Sequence, residues 1–469
     1  MKRTAEPANS ESGITRDAKV RAIVLRPVSL AQAASQIAEG PLRVPELGLA
    51  EAVGLAEALE LEVVHGELAP VRQISPRTFF GAGRVDRLKD EVADAEADVV
   101  IIDGALSPGQ QRNLEKAVNA KIVDRTGLIL EIFGLRAQTR EGRLQVELAR
   151  QAYERSRLVR TWTHLERQRG GLGKTGGPGE TQIELDRRQI ADRITRLKRE
   201  LEDVRRTRGL QRRARARAGM PAIVLVGYTN AGKSSLFNRL TEAGVFAKDM
   251  PFATLDPTAR QITLPSGRAA ILSDTVGFIS NLPTELIASF RATLEAVTEA
   301  DLLLHVRDMA HPETEAQRAD VLSVLEQLNR EAGRDAAHSA PMLEVWNKID
   351  LLDDVTRESL VRRAQAQSAA TDSAASMAPV AISATSGEGM DDLLAAIDRA
   401  AFSATRIVSI AIPVADGKTR ARIAAAGRIL EEAADEDGVL TLTAELSVED
   451  AARFAPYEAP APPVGRAAE

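Results

Sequence analysis

The segment GYTNAGKSS, which begins at Gly227, has the residue types and spacing of a phosphate-binding loop. Gly227 is followed by four residues and then by Gly232, Lys233 and Ser234. In such a loop, backbone N–H groups surround a β-phosphate, the lysine reaches the β- and γ-phosphates, and the hydroxyl ligates Mg²⁺. The apolar run 222–226 predicts a buried strand before the loop, and the dipole of a helix that begins after the loop favours a bound anion.

Two further motifs suit the metal and the γ-phosphate of a bound nucleoside triphosphate. Asp274 ends a predicted strand, where its carboxylate can hold Mg²⁺ through water. The N–H of Gly277 can approach the γ-phosphate because this residue has no side chain to block it. Between the phosphate-binding loop and Asp274 lies PFATLDPT, in which Thr254 can close over the metal when a γ-phosphate is bound. Thr258 in the same segment is the alternative candidate.

The base is predicted to be read by NKID at 347–350 and by SAT at 383–385. The Asp350 carboxylate can accept hydrogen bonds from both N1–H and the N2 amine of guanine. Adenine has neither donor, so it would leave a desolvated carboxylate unpaired. We expect Asn347 at the other edge of the base, the Lys348 stem against the ring, and the backbone of SAT at guanine O6.

The residues predicted to contact the nucleotide or to act on it therefore come from five motifs. The predicted binding residues are Gly227, Tyr228, Thr229, Asn230, Ala231, Gly232, Lys233, Ser234, Phe252, Ala253, Thr254, Leu255, Asp256, Asp274, Thr275, Val276, Gly277, Asn347, Lys348, Ile349, Asp350, Ser383, Ala384 and Thr385. The predicted metal ligands are Ser234, Thr254 and Asp274, and the predicted catalytic residues are Lys233, Thr254, Gly277 and Asn230.

Hydrolysis requires a water molecule aligned with the γ-phosphate. Many GTPases place a glutamine after the glycine of the DxxG motif for this purpose, but this chain has Phe278 there. We therefore predict slow intrinsic turnover, with the missing group supplied by a partner. Asn230 has two interpretations: it ligates K⁺ where an arginine finger would otherwise stand, or it stabilises the loop by a hydrogen bond.

A second glycine-rich stretch, RGGLGKTGGPGE at 169–180, does not meet the requirements of a phosphate-binding loop. The position five residues before Gly173 is Gln168, where the loop needs glycine, and the preceding residues are too polar for a buried strand. The same stretch separates two helical patterns. We predict that these helices form an antiparallel hairpin with this stretch at its tip.

The surrounding pattern predicts a multidomain α/β protein. A disordered arm at 1–19 precedes a small α/β domain at 20–138, and the helical hairpin occupies 139–218. The P-loop GTPase domain follows at 219–403, a small α+β domain at 404–458, and a disordered tail at 459–469. In the α+β domain, GKTRARIAAAGRILEEAA is predicted to be helical throughout.

Charge and composition limit the partners and the location. The chain carries a net charge of −6 and no cysteine, which fits a reducing interior. No apolar run reaches the length of a membrane helix, and no secretory signal is present, so we expect a cytoplasmic protein. Between Arg136 and Arg217 there are 23 Lys or Arg against 11 Asp or Glu. This excess favours nucleic acid as a partner over a merely solvated helix surface.

With these motifs, the sequence resembles translation-factor-class P-loop GTPases and, more closely, the HflX family. The resemblance covers about residues 20–400. It is carried by the nucleotide motifs and, upstream of them, by TFFGAGRVDRL, LSPGQQRNLE, VDRTGLILEIF, TREGRLQVELA and RGGLGKTGGPGETQIELDRRQI. The resemblance implies a cytoplasmic GTPase that binds the large ribosomal subunit and splits or rescues stalled ribosomes. It also implies that the hairpin and its glycine-rich tip reach ribosomal RNA.

Three functions from different classes remain open on the sequence. The first is an enzyme, expected to be a monomer, that couples GTP hydrolysis to ribosome splitting, rescue or biogenesis, with Mg²⁺ and, under one interpretation of Asn230, K⁺. The second is a GTP-gated factor that binds RNA or ribosomes in subunit assembly or silencing without splitting them. The third is an RNA-remodelling ATPase centred on the N-terminal domain, against which the lack of a phosphate-binding loop before residue 220 counts.

Overall fold

The computed structural model of the chain describes residues 19–29, 43–168, 178–217, 220–241, 251–252, 254, 258–280, 296–331, 333, 340–370, 377–402, 405–435 and 438–458. Apart from Lys19, the arm predicted at 1–19 lies outside these residues, as does the tail predicted at 459–469. The described residues form two compact units. The first comprises residues 19–29 and 44–131, and the second comprises residue 43 and those from 132 onward.

The first unit is built on a four-stranded parallel sheet. Its elements are β1 (Arg21–Ser29), α1 (Pro45–Glu57), β2 (Glu62–Val71), α2 (Ala82–Asp94), β3 (Val99–Ile102), α3 (Pro108–Val118) and β4 (Lys121–Asp124). The strand order is β2-β1-β3-β4, and each neighbouring pair is parallel. Ser107 and Gln110 form a capping box that fixes the start of α3. The strand–helix alternation of the sequence predicts this layer, and the structure confirms it.

Three helices follow in chain order: α4 (Arg125–Arg136), α5 (Arg140–Gln168) and α6 (Pro178–Arg217). Helices α5 and α6 pack as an antiparallel hairpin, held in part by an ion pair of 3.7 Å between Arg193 and Glu147. On α6, Ile194, Leu197 and Leu201 follow one another at steps of three and four residues and are buried. On α5 the buried residues include Glu141, Gln145, Val146 and Ala149, while Leu144 and Leu148 are half-buried. Within the described residues no helix is both long and apolar enough to cross a membrane.

The next sheet has six strands and positions the nucleotide motifs. Its elements are β5 (Ala222–Gly227), α7 (Lys233–Thr241), β6 (Thr258–Thr263), β7 (Ala269–Asp274), β8 (Leu302–Asp308), α8 (Thr314–Glu331), β9 (Met342–Asn347), a 3₁₀ turn (Ile349–Leu351), α9 (Asp354–Ala370), β10 (Val380–Ala381) and α10 (Met390–Phe402). The strand order is β10-β9-β8-β5-β7-β6, with only β6 antiparallel to its neighbour. The parallel strands end at one edge, so the motifs that follow them lie together there.

A three-stranded antiparallel sheet completes the second unit. Its elements are β11 (Thr405–Pro413), α11 (Gly417–Ala426), β12 (Gly427–Ala434), β13 (Val439–Ser447), α12 (Val448–Phe454) and a 3₁₀ turn (Ala455–Tyr457), with the strand order β11-β13-β12. The prediction that helix α11 continues through GRILEEAA is wrong. Gly427 ends α11 with an extended backbone, and the residues after it pair with β13. Pairing with β13 and packing of Ile429 against the local core outweigh the helix propensity of these residues.

Candidate nucleotide-binding site

The phosphate-binding loop lies between β5 and α7, and its two glycines are required by close packing. Gly227 has φ +150°, and a Cβ there would lie 2.3 Å from the carbonyl oxygen of Val306. Gly232 has φ +91°, and a Cβ there would lie 2.2 Å from Nδ2 of Asn347. A side chain at either position would clash and would also occupy an unfavourable backbone region. The loop conformation thus depends on glycine at both positions.

Lys233 is held inside this loop. Its side chain is buried, and Nζ donates hydrogen bonds to the carbonyl oxygens of Tyr228 at 2.7 Å and Gly227 at 3.1 Å. Burial lowers the pKa of Lys233 to about 8, although the nearby carboxylate of Asp274 acts in the opposite direction. Among the described residues, the opposite charge that acts on this buried cation is the carboxylate of Asp274, and a further anion such as a phosphate would stabilise the cation.

The three predicted metal ligands lie together. The hydroxyl of Ser234 is 2.7 Å from Oδ2 of Asp274 and 2.8 Å from the hydroxyl of Thr254, which is itself 2.9 Å from the same carboxylate oxygen. Burial raises the pKa of Asp274, while the charge of Lys233 and these hydrogen bonds oppose the rise. Two hydroxyls and one carboxylate are the hard oxygen donors that Mg²⁺ prefers, so this set fits the ion.

Thr254 and Thr258, the two candidates for closing over the metal, occupy different positions. Thr258 begins β6 and is the antiparallel ladder partner of Asp274. The Thr254 hydroxyl instead makes direct side-chain contacts with both Ser234 and Asp274. The structure therefore brings the Thr254 hydroxyl together with the side-chain oxygens of Ser234 and Asp274. Ala253, Leu255 and Asp256, which were predicted beside it, lie outside the described residues.

The DxxG segment pairs with the phosphate-binding loop along the backbone. The N–H of Thr229 donates to the carbonyl of Phe278 at 2.7 Å, and the N–H of Phe278 donates to the carbonyl of Gly227 at 3.1 Å. The phenol oxygen of Tyr228 accepts a 2.7 Å hydrogen bond from the N–H of Ser280. The ring of Phe278 is buried. It therefore offers no polar atom to a hydrolytic water.

Gly277, which precedes the paired residue, lies close to the phosphate-binding loop. A Cβ at Gly277 would lie 2.9 Å from Cα of Thr229 and 3.0 Å from Nζ of Lys233. Thr275, two residues earlier, anchors the segment by donating its hydroxyl to the carbonyl of Leu225 at 2.6 Å. The backbone at Gly277 is thus placed beside the ammonium group that is predicted to hold the γ-phosphate.

Asn347 makes two contacts that the sequence did not predict. Its buried amide joins two loops. Nδ2 donates to the carbonyl of Ala231 at 2.8 Å, and Oδ1 accepts from the N–H of Ala384 at 3.0 Å. The N–H of Ala384, one of the SAT backbone groups expected near guanine O6, is therefore engaged with Asn347 in this structure. The sequence could not reveal this because both partners are backbone groups far away in the chain.

The remaining residues of the base-reading motifs differ in their exposure. Lys348 has a left-handed backbone with φ 65°, and the Asp350 side chain is exposed. Ser383 is buried, and its hydroxyl accepts from the N–H of Ser386 at 2.9 Å, which fixes the turn of the SAT motif. Thr385 is exposed beside it. Asp350 thus presents an exposed carboxylate at this end of the site.

All five motifs contribute to one cavity of about 460 Å³, which we call the nucleotide cleft. The predicted residues that line it are Thr229, Asn230, Gly232, Lys233, Ser234, Phe252, Thr254, Thr275, Gly277, Asn347, Lys348, Asp350, Ala384 and Thr385. The other predicted residues that the structure describes are buried and do not line the cleft. They are Gly227, Tyr228, Ala231, Asp274, Val276, Ile349 and Ser383. The cleft also contains Ser235 and Leu351, which the prediction missed although each directly follows a motif residue. The volume lies in the ordinary range for small-molecule sites.

Comparison with known families agrees with this geometry. A family model described as GTP-binding GTPase N-terminal matches residues 46–134, and one described as GTP-binding GTPase middle region matches 136–215. A third, described as a 50S ribosome-binding GTPase, matches 222–348. The GTPase HflX of Magnetococcus marinus is 48% identical over 399 residues, which is 85% of this chain and 88% of that protein.

This chain belongs to the HflX family of GTPases. The GTPase HflX of Escherichia coli is also similar, at 42% identity over 383 residues, covering 82% of this chain and 86% of that protein. Membership of the HflX family makes the chain an enzyme that binds and hydrolyses GTP. The fold class predicted from the sequence, a multidomain α/β protein with a P-loop GTPase domain, is confirmed.

Proposed function

We propose that this HflX-family GTPase binds the large ribosomal subunit and couples GTP binding and hydrolysis to ribosome splitting, rescue or biogenesis in the cytoplasm. The observation that carries the proposal is the match of residues 222–348 to a family model described as a 50S ribosome-binding GTPase. The hairpin of α5 and α6 supports it, because the basic block between Arg136 and Arg217 lies in this region and RNA phosphates are its natural ligands.

The nucleotide-handling roles follow from the geometry of the cleft. Lys233 and the N–H groups of the phosphate-binding loop hold the β- and γ-phosphates. Ser234, Thr254 and Asp274 supply the oxygens for Mg²⁺, which when bound neutralises negative charge on the phosphate oxygens. Asp350 selects guanine. Thr254 and the N–H of Gly277 distinguish GTP from GDP because both lie where the γ-phosphate is expected.

Asn230 is the proposed K⁺ ligand of this site. It lines the nucleotide cleft, is exposed, and has a left-handed backbone with φ 59°. A cation held there would supply positive charge beside the phosphates. Comparing GTP turnover in K⁺ and in Na⁺ tests this role. A higher rate in K⁺ that is lost in Asn230→Ala is expected, and equal rates in both salts exclude it.

The timing of hydrolysis is proposed to depend on the partner. Phe278 is buried and pairs with the phosphate-binding loop, so the chain offers no side chain at that position to orient water. Turnover in the free protein is therefore slow, and docking on the large subunit completes the catalytic arrangement. Rapid GTP hydrolysis is then confined to the ribosome-bound protein.

The rings of Phe133 and Phe252 form the proposed link between nucleotide state and hairpin. Phe252 lies two residues before Thr254, and Phe133 belongs to α4, which leads into the hairpin. The two rings are in edge-on contact. A change in the position of Thr254 on γ-phosphate loss is thereby transmitted to α4. The joint predicted at Gly219 lies outside the described residues.

Reversing charge on the hairpin tests the ribosome-binding proposal. Arg187 and Arg188 of α6 are exposed, so their replacement by Glu removes positive charge without opening the core. We expect Arg187→Glu/Arg188→Glu to weaken large-subunit binding by about 100-fold at low salt, since each lost phosphate contact lowers affinity and its salt dependence. Arg330→Glu/Arg362→Glu is the matched control, with the same charge change on exposed positions of α8 and α9. Equal loss in both variants contradicts a specific role of the hairpin.

A GTP-gated factor that binds the ribosome without splitting it is the second candidate. The same cleft and hairpin favour it, since gating requires only that the GTP and GDP states differ in affinity for the subunit. Sedimentation of 70S ribosomes with the protein and GTP separates the two functions. Conversion to subunits supports splitting, whereas comigration with intact 70S particles supports the gated factor.

A further inference from the structure

Lys348 of the NKID motif forms an ion pair with a residue outside the five nucleotide motifs. Nζ of Lys348 lies 2.8 Å from Oδ2 of Asp308, and both side chains are largely shielded, at 21% and 14% exposure. Asp308 is the last residue of β8, the strand next to the one that carries NKID. A shielded pair of this kind is more strongly oriented than an exposed surface pair.

The backbone around Asp308 is fixed independently of the lysine. Its second oxygen, Oδ1, accepts a 3.0 Å hydrogen bond from the N–H of Ala310, and the N–H of Met309 donates to the carbonyl of Asn347 at 3.0 Å. The Asp308 carboxylate thus belongs to a short turn whose backbone is hydrogen-bonded to Asn347 of the NKID motif. It therefore offers Lys348 a fixed anchor.

Lys348 needs such an anchor because its chain is long and flexible. Its backbone is already in the left-handed region, and its side chain lines the nucleotide cleft beside Asp350. A free lysine of this length has several rotamers, and fixing one of them costs conformational entropy. With the ammonium held by Asp308, the methylene stem is fixed as a flat apolar surface beside the position of the base.

We propose that Asp308 is a positioning residue for guanine-nucleotide binding: it anchors the ammonium of Lys348 so that the lysine stem is preorganised against the base. The inference rests on guanine nucleotide occupying the cleft and does not depend on ribosome binding. Because the base is common to GTP and GDP, Asp308 strengthens the binding of both equally. It leaves the choice of guanine to Asp350.

The test measures GDP and GTP dissociation constants by calorimetry for the full chain and for Asp308→Asn. The amide retains an oxygen acceptor for the N–H of Ala310 but loses the charge that holds the lysine. We expect both dissociation constants to rise by about five- to tenfold, in the same proportion, from the loss of a charge-assisted contact. KM for GTP rises with them. Asp353→Asn, which removes a charge from an exposed capping residue of α9, is the matched control and leaves both constants unchanged.

A double-mutant cycle separates positioning from a merely structural effect. If Asp308 acts through the lysine, Asp308→Asn weakens GDP binding in the wild-type background and has no effect in Lys348→Ala. The same loss in both backgrounds overturns the inference, as does unchanged GDP affinity in Asp308→Asn. Failure of the wild-type chain to bind GDP would instead count against the nucleotide cleft itself.

Discussion

The ring of Phe252 packs edge-on against the ring of Phe133, with centroids 4.7 Å apart and ring planes at 75°. Both rings are buried, and Phe252 has a left-handed backbone with φ 57°, which is uncommon for a bulky residue. Phe252 is therefore held in place by an aromatic contact with α4, and Thr254 lies two residues after it. This contact joins α4 to a residue two positions before Thr254, whose hydroxyl contacts Ser234 and Asp274.

Weakening this aromatic pair should uncouple GTP hydrolysis from the ribosome. Phe133→Leu keeps an apolar side chain but removes the edge-on contact. We expect GDP affinity to change little, while large-subunit stimulation of GTP turnover falls by about tenfold, within the usual range of coupling energies. Stimulation is measured as the ratio of turnover rates with and without large subunits.

Phe80→Leu is the control for the loss of a buried aromatic ring. Phe80 is buried in the core of the first unit, so this change has a comparable cost in packing without touching the nucleotide cleft. It should preserve stimulation of turnover. If Phe80→Leu and Phe133→Leu lower stimulation equally, the effect is general destabilisation and the proposed link is wrong.

Base selection should change in Asp350→Asn. The amide replaces one acceptor by a donor, which suits the O2 of xanthine and opposes the N2 amine of guanine. We expect GDP affinity to fall by about 100-fold or more and XDP affinity to rise, since an unpaired polar group in a binding site is costly. Competition binding with the two nucleotides measures the switch. Asp354→Asn, an exposed residue at the start of α9, should retain the guanine preference.

Nucleotide binding should take up protons above pH 8. Burial lowers the pKa of Lys233 from 10.5 to about 8. The folded protein without nucleotide therefore loses this proton at a lower pH than the unfolded chain does. Because the unfolded chain binds more protons between about pH 8 and 10.5, the stability of the folded protein rises with pH in this range. Bound phosphates restore the charged form. At pH 8.5 we expect GDP binding to take up about three-quarters of a proton, and at pH 7 almost none.

Calorimetry in two buffers of different ionisation enthalpy measures this proton uptake. The observed binding enthalpy should depend on the buffer at pH 8.5 and not at pH 7, and GDP affinity should decrease between pH 8 and 10. Buffer-independent enthalpies at both pH values would show that Lys233 is fully charged in the free protein.

The sequence was sufficient to predict the parts of the fold whose signals are local. The phosphate-binding loop follows a buried strand, and the Ser234 hydroxyl meets the Asp274 carboxylate, as spacing and strand order predict. Parallel strands end at a common edge, so motif order alone brought Ser234 and Asp274 together.

Contacts that depend on packing were not visible in the sequence. The strand β12 has good helix formers, and only its pairing with β13 decides its conformation. The partners of Asn347 are backbone groups, which carry no residue-type signal. The ion pair of Asp308 with Lys348 and the ring contact of Phe133 with Phe252 join residues 40 or more positions apart, and such pairs require the tertiary fold.

Adding a methyl group at Gly277 should selectively impair the GTP state. In Gly277→Ala the new Cβ would lie 2.9 Å from Cα of Thr229, so the DxxG backbone must move away from the γ-phosphate position. We expect GTP turnover to fall by about 100-fold, while GDP affinity changes less than about threefold. Single-turnover hydrolysis and GDP titration measure the two effects.

Gly417→Ala is the matched control for Gly277→Ala. A Cβ at Gly417, the first residue of α11, meets open space, so this change should leave turnover and GDP binding at wild-type values. Equal turnover in Gly277→Ala and Gly417→Ala would mean that the DxxG backbone does not approach the γ-phosphate.

The rate of GTP turnover with isolated large subunits, with isolated small subunits and with neither tests the central claim most directly. The account predicts slow turnover by the free protein and with small subunits, and an increase of more than about tenfold with large subunits, because the partner completes the hydrolytic arrangement. The same rate under all three conditions would contradict it.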